Sequence, residues 1–260
     1  MASGLAHDVF GHGDPAIVFI HGLGCDRTDW GEQIEAFAPR HRVLTLDLPG
    51  HGASPPSPRQ TRIEAQAQDV AALIMAAEAS PAVLVGHSLG CRIVIEAAAL
   101  LVGSVAGVVL IDGSLRTDPG PGTGPTPAQF SGMMRAYFRQ LVGDGMSEAR
   151  ASFIAERAAE RDPVFLAALI ADIARYDQAV VADRLGELDV PVLAFQTSIA
   201  RADGHRTNLL PGESTPFLDL LRARVARLTE ASVPVCGHFP QIEQPEATTQ
   251  RIADFMATLV

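Results

Sequence analysis

Gly86-His87-Ser88-Leu89-Gly90 stands between Ala82-Val83-Leu84-Val85, a short apolar run that reads as a buried strand, and Cys91 to Leu100, which reads as a helix. A serine with glycines two residues before and two after, between a strand and a helix, is the context of a nucleophile elbow. The turn is sharp and the serine backbone strained, so side chains at the flanking positions would collide with it. Such a turn holds the hydroxyl above the sheet edge, beside the N–H groups that open the helix. Ser88 is therefore expected to be a nucleophile.

The flanking sequence repeats the same alternation. Ala16 to Ile20 reads as a strand ending at His21-Gly22, and Arg42 to Leu46 as one ending in Asp47-Leu48-Pro49-Gly50-His51-Gly52. Ile63 to Ala79 has helical spacing, and Val105 to Ile111 is a strand ending at Asp112-Gly113-Ser114. Val190 to Phe195 and Ser232 to Cys236 are further strands, before a terminal helix around Pro245 to Leu259. Near-continuous apolar strands separated by helices predict an α/β fold, a mostly parallel sheet covered on both faces. Ligands of such sheets bind beyond the C-terminal strand ends, where every motif named here falls.

Residues 115–185 interrupt the alternation. The run from Thr117 to Pro127 is too rich in proline and glycine for regular structure, and helical patterns follow at Ala128 to Val142, Ser147 to Arg161 and Pro163 to Asp177. The expected organisation is a core of residues 1–114 and 186–260 with a helical cap, 115–185, inserted after the strand that ends at Asp112.

The chain has 260 residues, 47% of them hydrophobic and 19% charged, which suits a soluble domain with a sizeable core. A net charge of −10 argues against binding nucleic acid or an anionic membrane through bulk electrostatics. No signal peptide or bilayer-spanning segment is evident. Cys25, Cys91 and Cys236 form no CxxC pair, so neither a disulfide framework nor a zinc site is suggested. A cytoplasmic enzyme without metal or cofactor, acting on a small molecule, is expected. Monomer and homodimer remain equally open.

A serine hydroxyl needs a base within hydrogen-bond reach and a third group to orient that base. Among eight histidines, His238 in Cys236-Gly237-His238-Phe239-Pro240 is best placed, past the last predicted strand and before the terminal helix. The orienting carboxylate should lie between serine and histidine in the chain. Asp112 closes the strand after that of Ser88; Asp203 lies in the loop after Val192-Leu193-Ala194-Phe195; Glu213 is a more remote third. An oxyanion developing on the substrate needs N–H donors, each worth roughly 3–4 kcal/mol. The backbone of Leu89 supplies one, and the turn His21-Gly22-Leu23-Gly24 supplies the other, best assigned to Leu23.

With these motifs together, the chain resembles the α/β-hydrolase superfamily over nearly its whole length. The marks are Val18-Phe19-Ile20-His21-Gly22-Leu23-Gly24 with Trp30, Asp47 to Ser54, the Ser88 elbow, and Gly237-His238-Phe239-Pro240 with Glu243 and Pro245-Glu246. The resemblance implies Ser88 as nucleophile, His238 as base and the Leu23 and Leu89 amides as oxyanion hole. The family's usual Gly-x-x-Asp after the late strand is missing, because Gln196 to Asp203 has no glycine and a displaced aspartate. Some branches take the acid from the strand after the nucleophile, about two dozen residues on. Asp112 stands there and is favoured over Asp203. The opening hairpin is expected to be trimmed.

The implied reaction is hydrolysis of a small, largely apolar ester, thioester or lactone through an acyl-enzyme. The alternatives on the same fold are C–C bond hydrolysis, acyl transfer, perhydrolysis and cofactor-free oxygenation, and beyond them a non-catalytic ligand-binding member. Gly22, Met133, Met134, Tyr137 and Phe138 are the candidate substrate-binding residues.

Overall fold

The computed structural model describes residues 4–118, 126–143, 145–200, 206–210, 212–233 and 236–259. Its main sheet is built from β1 (His7–Phe10), β2 (Ala16–Ile20), β3 (Val43–Leu46), β4 (Ala82–His87), β5 (Val105–Ile111), β6 (Val192–Phe195) and β9 (Leu228–Ala231). The spatial order is β1-β3-β2-β4-β5-β6-β9, and only β1 runs antiparallel to its neighbour. A short hairpin, β7 (Ser198–Ala200) and β8 (Arg206–Asn208), lies outside it. From β2 the chain moves to β3 on one side, then returns to β4 on the other. The crevice beyond the ends of β2 and β4 is therefore a topological switch point, where such sheets bind ligands.

Strand residues alternate between two apolar clusters, one on each face. Val18, Ile20, Leu44, Leu46, Leu84, Val108 and Leu110 belong to the first. Ile17, Phe19, Val43, Val83, Val85, Val109 and Ile111 belong to the second. Because both faces are covered, the inner strands read as continuous apolar runs with no polar alternation. On the first face lie α2 (Ile63–Ala76), α3 (Leu89–Leu100), α7 (Val181–Gly186) and α8 (Pro216–Arg224). On the second lie α1 (Gly31–Phe37) and α10 (Pro245–Met256), with Trp30 stacked on Phe19 at 4.8 Å between ring centroids. The short α9 (Pro240–Glu243) precedes α10.

Between β5 and β6 run α4 (Pro127–Leu141), α5 (Glu148–Ala159) and α6 (Pro163–Ala179). Each begins at a side-chain cap: Thr126 with Gln129 for α4, Ser147 for α5, and Asp162 before Pro163 for α6. Their apolar faces join the first cluster through Phe130, Phe138, Ile154, Leu166 and Tyr176, so they share the core of the sheet. Buried ion pairs fix them further. Arg157 pairs with Asp29 at 2.6 Å and Arg92 with Asp177, all four side chains under a tenth exposed.

One expectation needs correction. Among the described residues the last strand is Leu228–Ala231, ahead of the expected Ser232 to Cys236. Ala231 pairs with Phe195, and Val233 and Cys236 bury their side chains in the second cluster as loop residues, which produced the apolar signal. The helix Pro216–Arg224 and the β7–β8 hairpin were not anticipated. Most of the proline- and glycine-rich run from Thr117 to Pro127 lies outside the described residues. Among the described residues, no helix is long and apolar enough to cross a membrane. Cys25, Cys91 and Cys236 are buried and free.

The turns after β2 and β3 are braced by two buried histidines. The His21 Nδ1–H donates to the Gly22 carbonyl at 2.7 Å, and its Nε2 accepts the Leu48 N–H at 3.0 Å. His51 Nδ1–H donates to the Pro49 carbonyl at 2.9 Å. Burial pushes His21 down to about 4 and His51 to about 3. Both are neutral in the fold and take up a proton when it unfolds below pH ~6.5. Their contribution is complete above that pH and is lost as pH falls toward 4. Urea unfolding is expected to show stability dropping by on the order of 1 kcal/mol per pH unit per histidine between pH 6 and 4. A flat profile there would contradict their burial. Asp177→Asn leaves Arg92 without its partner and is expected to cost about 3–5 kcal/mol in the same assay.

Candidate active site

Ser88 has φ 52° and ψ −110°, a left-handed backbone that a side chain rarely adopts. Glycines on either side permit it. An added Cβ at Gly86 would strike the Gly90 carbonyl, and one at Gly90 would strike the Ile20 carbonyl. The elbow is thus pressed at once against its own helix and the end of β2. The Ser88 N–H donates to the Ile111 carbonyl at 3.0 Å, tying the turn to β5. Below it, burial pushes the Cys91 thiol up to about 12, so it stays neutral.

His238 sits in the loop between β9 and α9. Its own N–H donates to the Leu141 carbonyl at 2.9 Å, and its carbonyl accepts His87 Nε2–H at 2.6 Å. The Glu243 carboxylate accepts the N–H groups of Gly237, Phe239 and Gly143 at 2.9, 3.1 and 3.0 Å. One side chain therefore ties the histidine loop both to α9 and to the end of α4. Burial raises the Glu243 carboxyl above its ordinary value, against those three donors.

The structure brings three of the expected side chains together. His238 Nε2 lies 2.9 Å from Ser88 Oγ, and His238 Nδ1 lies 2.5 Å from Asp112 Oδ2. In the neutral tautomer Nδ1–H donates to the carboxylate and Nε2 accepts from the serine hydroxyl. Asp112, at φ 44°, is fully buried. Its Oδ1 accepts from Thr197 N, Ser198 N and Gln196 Nε2 at 2.8, 2.9 and 3.0 Å. Its Oδ2 accepts from Ser198 Oγ at 2.7 Å and Arg206 Nη1 at 3.0 Å, besides His238. Burial alone would raise this carboxyl, but the His238 hydrogen bond and the Arg206 charge hold it well below the usual carboxylate range. His238 is lowered by burial and by Arg206, with Asp112 opposing.

Gly22 packs directly against the elbow, where an added Cβ would lie 3.1 Å from Ser88 Cβ and 2.9 Å from His87 Nδ1. The turn that carries Leu23 is thereby held beside Ser88. Leu89 is the first residue of α3, so its N–H has no acceptor within the helix. His87 is buried and driven down to about 3, and its Nδ1 has no hydrogen-bond partner.

Ser88 and His238 open onto a cavity of about 230 Å³. Leu23 and Leu89 line it, with Phe130, Met133, Met134, Tyr137, Phe138 and Leu141 of α4 and Ile170 and Ile173 of α6. Met134 and Phe138 are buried, whereas Met133 and Tyr137 are about half exposed at 49% and 45%. Gly22 is not part of the cavity wall. The polar wall groups Arg92, Ser114 and Arg116 were not foreseen.

Asp203 lies outside the described residues. Glu213 accepts the Leu210 N–H at 2.9 Å and lines a separate surface groove. Reading by sequence missed the donors around Asp112: Gln196, Thr197, Ser198 and Arg206. The available signal was the pair of short β-compatible stretches that form the β7–β8 hairpin and return Arg206 to Asp112. Among the described residues, no group of three or more His, Cys, Asp or Glu side chains could hold a metal ion.

Comparison with known proteins agrees with this architecture. The model of the alpha/beta hydrolase family matches residues 17–251. The chain is 30% identical to a pimeloyl-[acyl-carrier protein] methyl ester esterase of Methylococcus capsulatus, over 98% of this chain and 99% of that protein. It is 28% identical to the sn-1-specific diacylglycerol lipase ABHD11 of Mus musculus, over 94% of this chain and 81% of that one. Among solved structures, an esterase from Thermogutta terrifontis superimposes with a TM-score of 0.77 at 24% identity, covering 98% of this chain and 93% of that one. With its family motifs, sheet order and full-length esterase relatives, this chain belongs to the alpha/beta hydrolase family and is an enzyme of its ester-hydrolase type.

Proposed function

We propose that this enzyme cleaves a carboxylic ester, thioester or lactone of a small, largely apolar acid, with Ser88 as nucleophile, His238 as base and Asp112 as orienting acid. The observation that carries the reading is the unbroken contact Ser88 Oγ to His238 Nε2 to Asp112 Oδ2 at the floor of an apolar cavity. His238 Nε2 takes the hydroxyl proton as Ser88 Oγ attacks the carbonyl carbon, and the imidazolium is stabilised by Asp112. The N–H groups of Leu23 and Leu89 receive the oxyanion. His238 then gives its proton to the leaving oxygen or sulfur as the acyl-enzyme forms. Water attacks the acyl-enzyme by the same route and restores Ser88.

The wall from α4 and α6 sets the substrate's character. Met133, Met134, Tyr137 and Phe138 offer an apolar surface with polarizable thioethers, suited to a short acyl or alkyl group. The unpaired, buried cysteines favour a reducing compartment, and we place the reaction in the cytoplasm on that ground.

Ser88→Ala is expected to reduce hydrolysis of p-nitrophenyl butyrate on the order of 10⁶-fold and to abolish labelling by a phosphonate. Oxygen-dependent turnover that survives this substitution would overturn hydrolysis. Asp112→Asn, with the geometry kept but the wrong tautomer favoured, is expected to lose on the order of 10⁴-fold in kcat. Nearly intact activity in that variant would remove Asp112 from the mechanism. A butyrate ester is expected to be turned over faster than a palmitate ester, since the cavity is about 230 Å³.

A further inference from the structure

Arg206 is the least expected charge in the molecule. It stands on β8, 94 residues after Asp112, and only 11% of its side chain is exposed. Its Nη1 lies 3.0 Å from Asp112 Oδ2, within hydrogen-bond distance of Ser198 Oγ, and 3.4 Å from His238 Nδ1. The last contact is no hydrogen bond. Nδ1 already directs its proton at Asp112 Oδ2, so two donors face each other there. What Arg206 presents to the imidazole is a cation at its edge.

Charge balance decides the consequence. A buried aspartate and histidine alone reach neutrality when the ring is imidazolium. With a guanidinium already paired to the same carboxylate, neutrality is reached when the ring is uncharged. A second positive charge in this buried site has no partner. We propose that Arg206 is a positioning residue of the triad: seated against Asp112, Ser198 and His238, it holds the imidazole uncharged with its proton on Nδ1, leaving Nε2 free as base to lower pH. The proposal rests on His238 acting as base.

The other groups near the ring contribute less than Arg206. His87, 4.8 Å away between ring centroids, is neutral because burial keeps it so. Arg92 on α3 pushes the ring in the same direction but more weakly, and is paired with Asp177. Glu243 beneath the histidine loop is occupied by three backbone N–H groups. Tyr137 of α4 stands at the cavity wall with its side chain half exposed. Among the described residues, Arg206 is thus the cation bound directly to the acid of the triad.

The effect has two sides. The same cation opposes the imidazolium formed during attack, so it restrains the plateau rate while it extends activity toward acid. A residue that merely braced the hairpin would, on removal, lower activity by the same factor at every pH.

The test is the pH profile of kcat/KM for p-nitrophenyl butyrate with the full chain as wild type, Arg206→Lys and Arg206→Gln. Arg206→Gln is expected to move the acid limb up by about one pH unit, so that activity below the limb falls about tenfold relative to the plateau, which itself holds or rises as the restraint on the imidazolium is lifted. Arg206→Lys, which keeps the charge, should stay close to the wild-type limb. An unmoved limb in Arg206→Gln, or a loss uniform across pH, overturns the proposal. Should Arg206→Gln fail to fold, NMR titration of His238 in the wild type and in Arg206→Met decides. A titration point that rises in Arg206→Met supports Arg206's role, and one that stays where the wild type has it refutes it, since burial acts on both alike. The NMR reading needs no turnover, so a failure of the ester-hydrolase reading would appear separately, as wild-type activity indifferent to Ser88→Ala.

Discussion

Ser88 holds a backbone conformation that costs on the order of 1–3 kcal/mol for a residue with a side chain, and the rest of the architecture is arranged so that it persists. Gly86 and Gly90 remove the two Cβ atoms that would collide with the elbow and with the end of β2. The Ser88 N–H is bonded to β5, and α3 begins at the next residue. β2, β4 and β5 are adjacent and parallel, so pinning this one turn aligns the ends of three strands. The turn holding Leu23 belongs to the first of them, Ser88 to the second and Asp112 to the third. A single strained residue therefore sets the relative positions of most of the site.

His238 arrives by a different route. No strand ends at it, and its loop is held from outside the sheet: by the Leu141 carbonyl, by His87 and by the Glu243 carboxylate. Two of these ties reach the end of α4, the helix whose other residues wall the cavity. Helix α4 thus both shapes the space for the substrate and supports the residue facing Ser88. The packing of α4 to α6 into the same apolar cluster as the sheet makes that support part of the core.

Much of this was legible because it is local or periodic. Strands buried on both faces show as continuous apolar runs, and the elbow shows because its sterics demand glycine at two fixed offsets. The spacing from Ser88 to Asp112 was readable for a similar reason, since one helix and one strand separate them. The Ser232 to Cys236 misreading came from apolar residues that are buried without being in a strand, a case that periodicity cannot distinguish. Arg206 was invisible because the triad residues it faces, Asp112 and His238, lie 94 and 32 residues away and no pattern links them.

The sequence by itself determined the parallel sheet, the elbow, the identity of the candidate nucleophile and the chain order of its partners. Those follow from steric and hydrophobic rules that act over a few residues. Only the tertiary structure decided that the Asp112 carboxylate is filled by six donors, that one of them is a guanidinium, and that His238 hangs from α4. These depend on distances between segments far apart in the chain. In a buried site a shift of an ångström changes the charge state of a histidine, and sequence spacing carries no such precision.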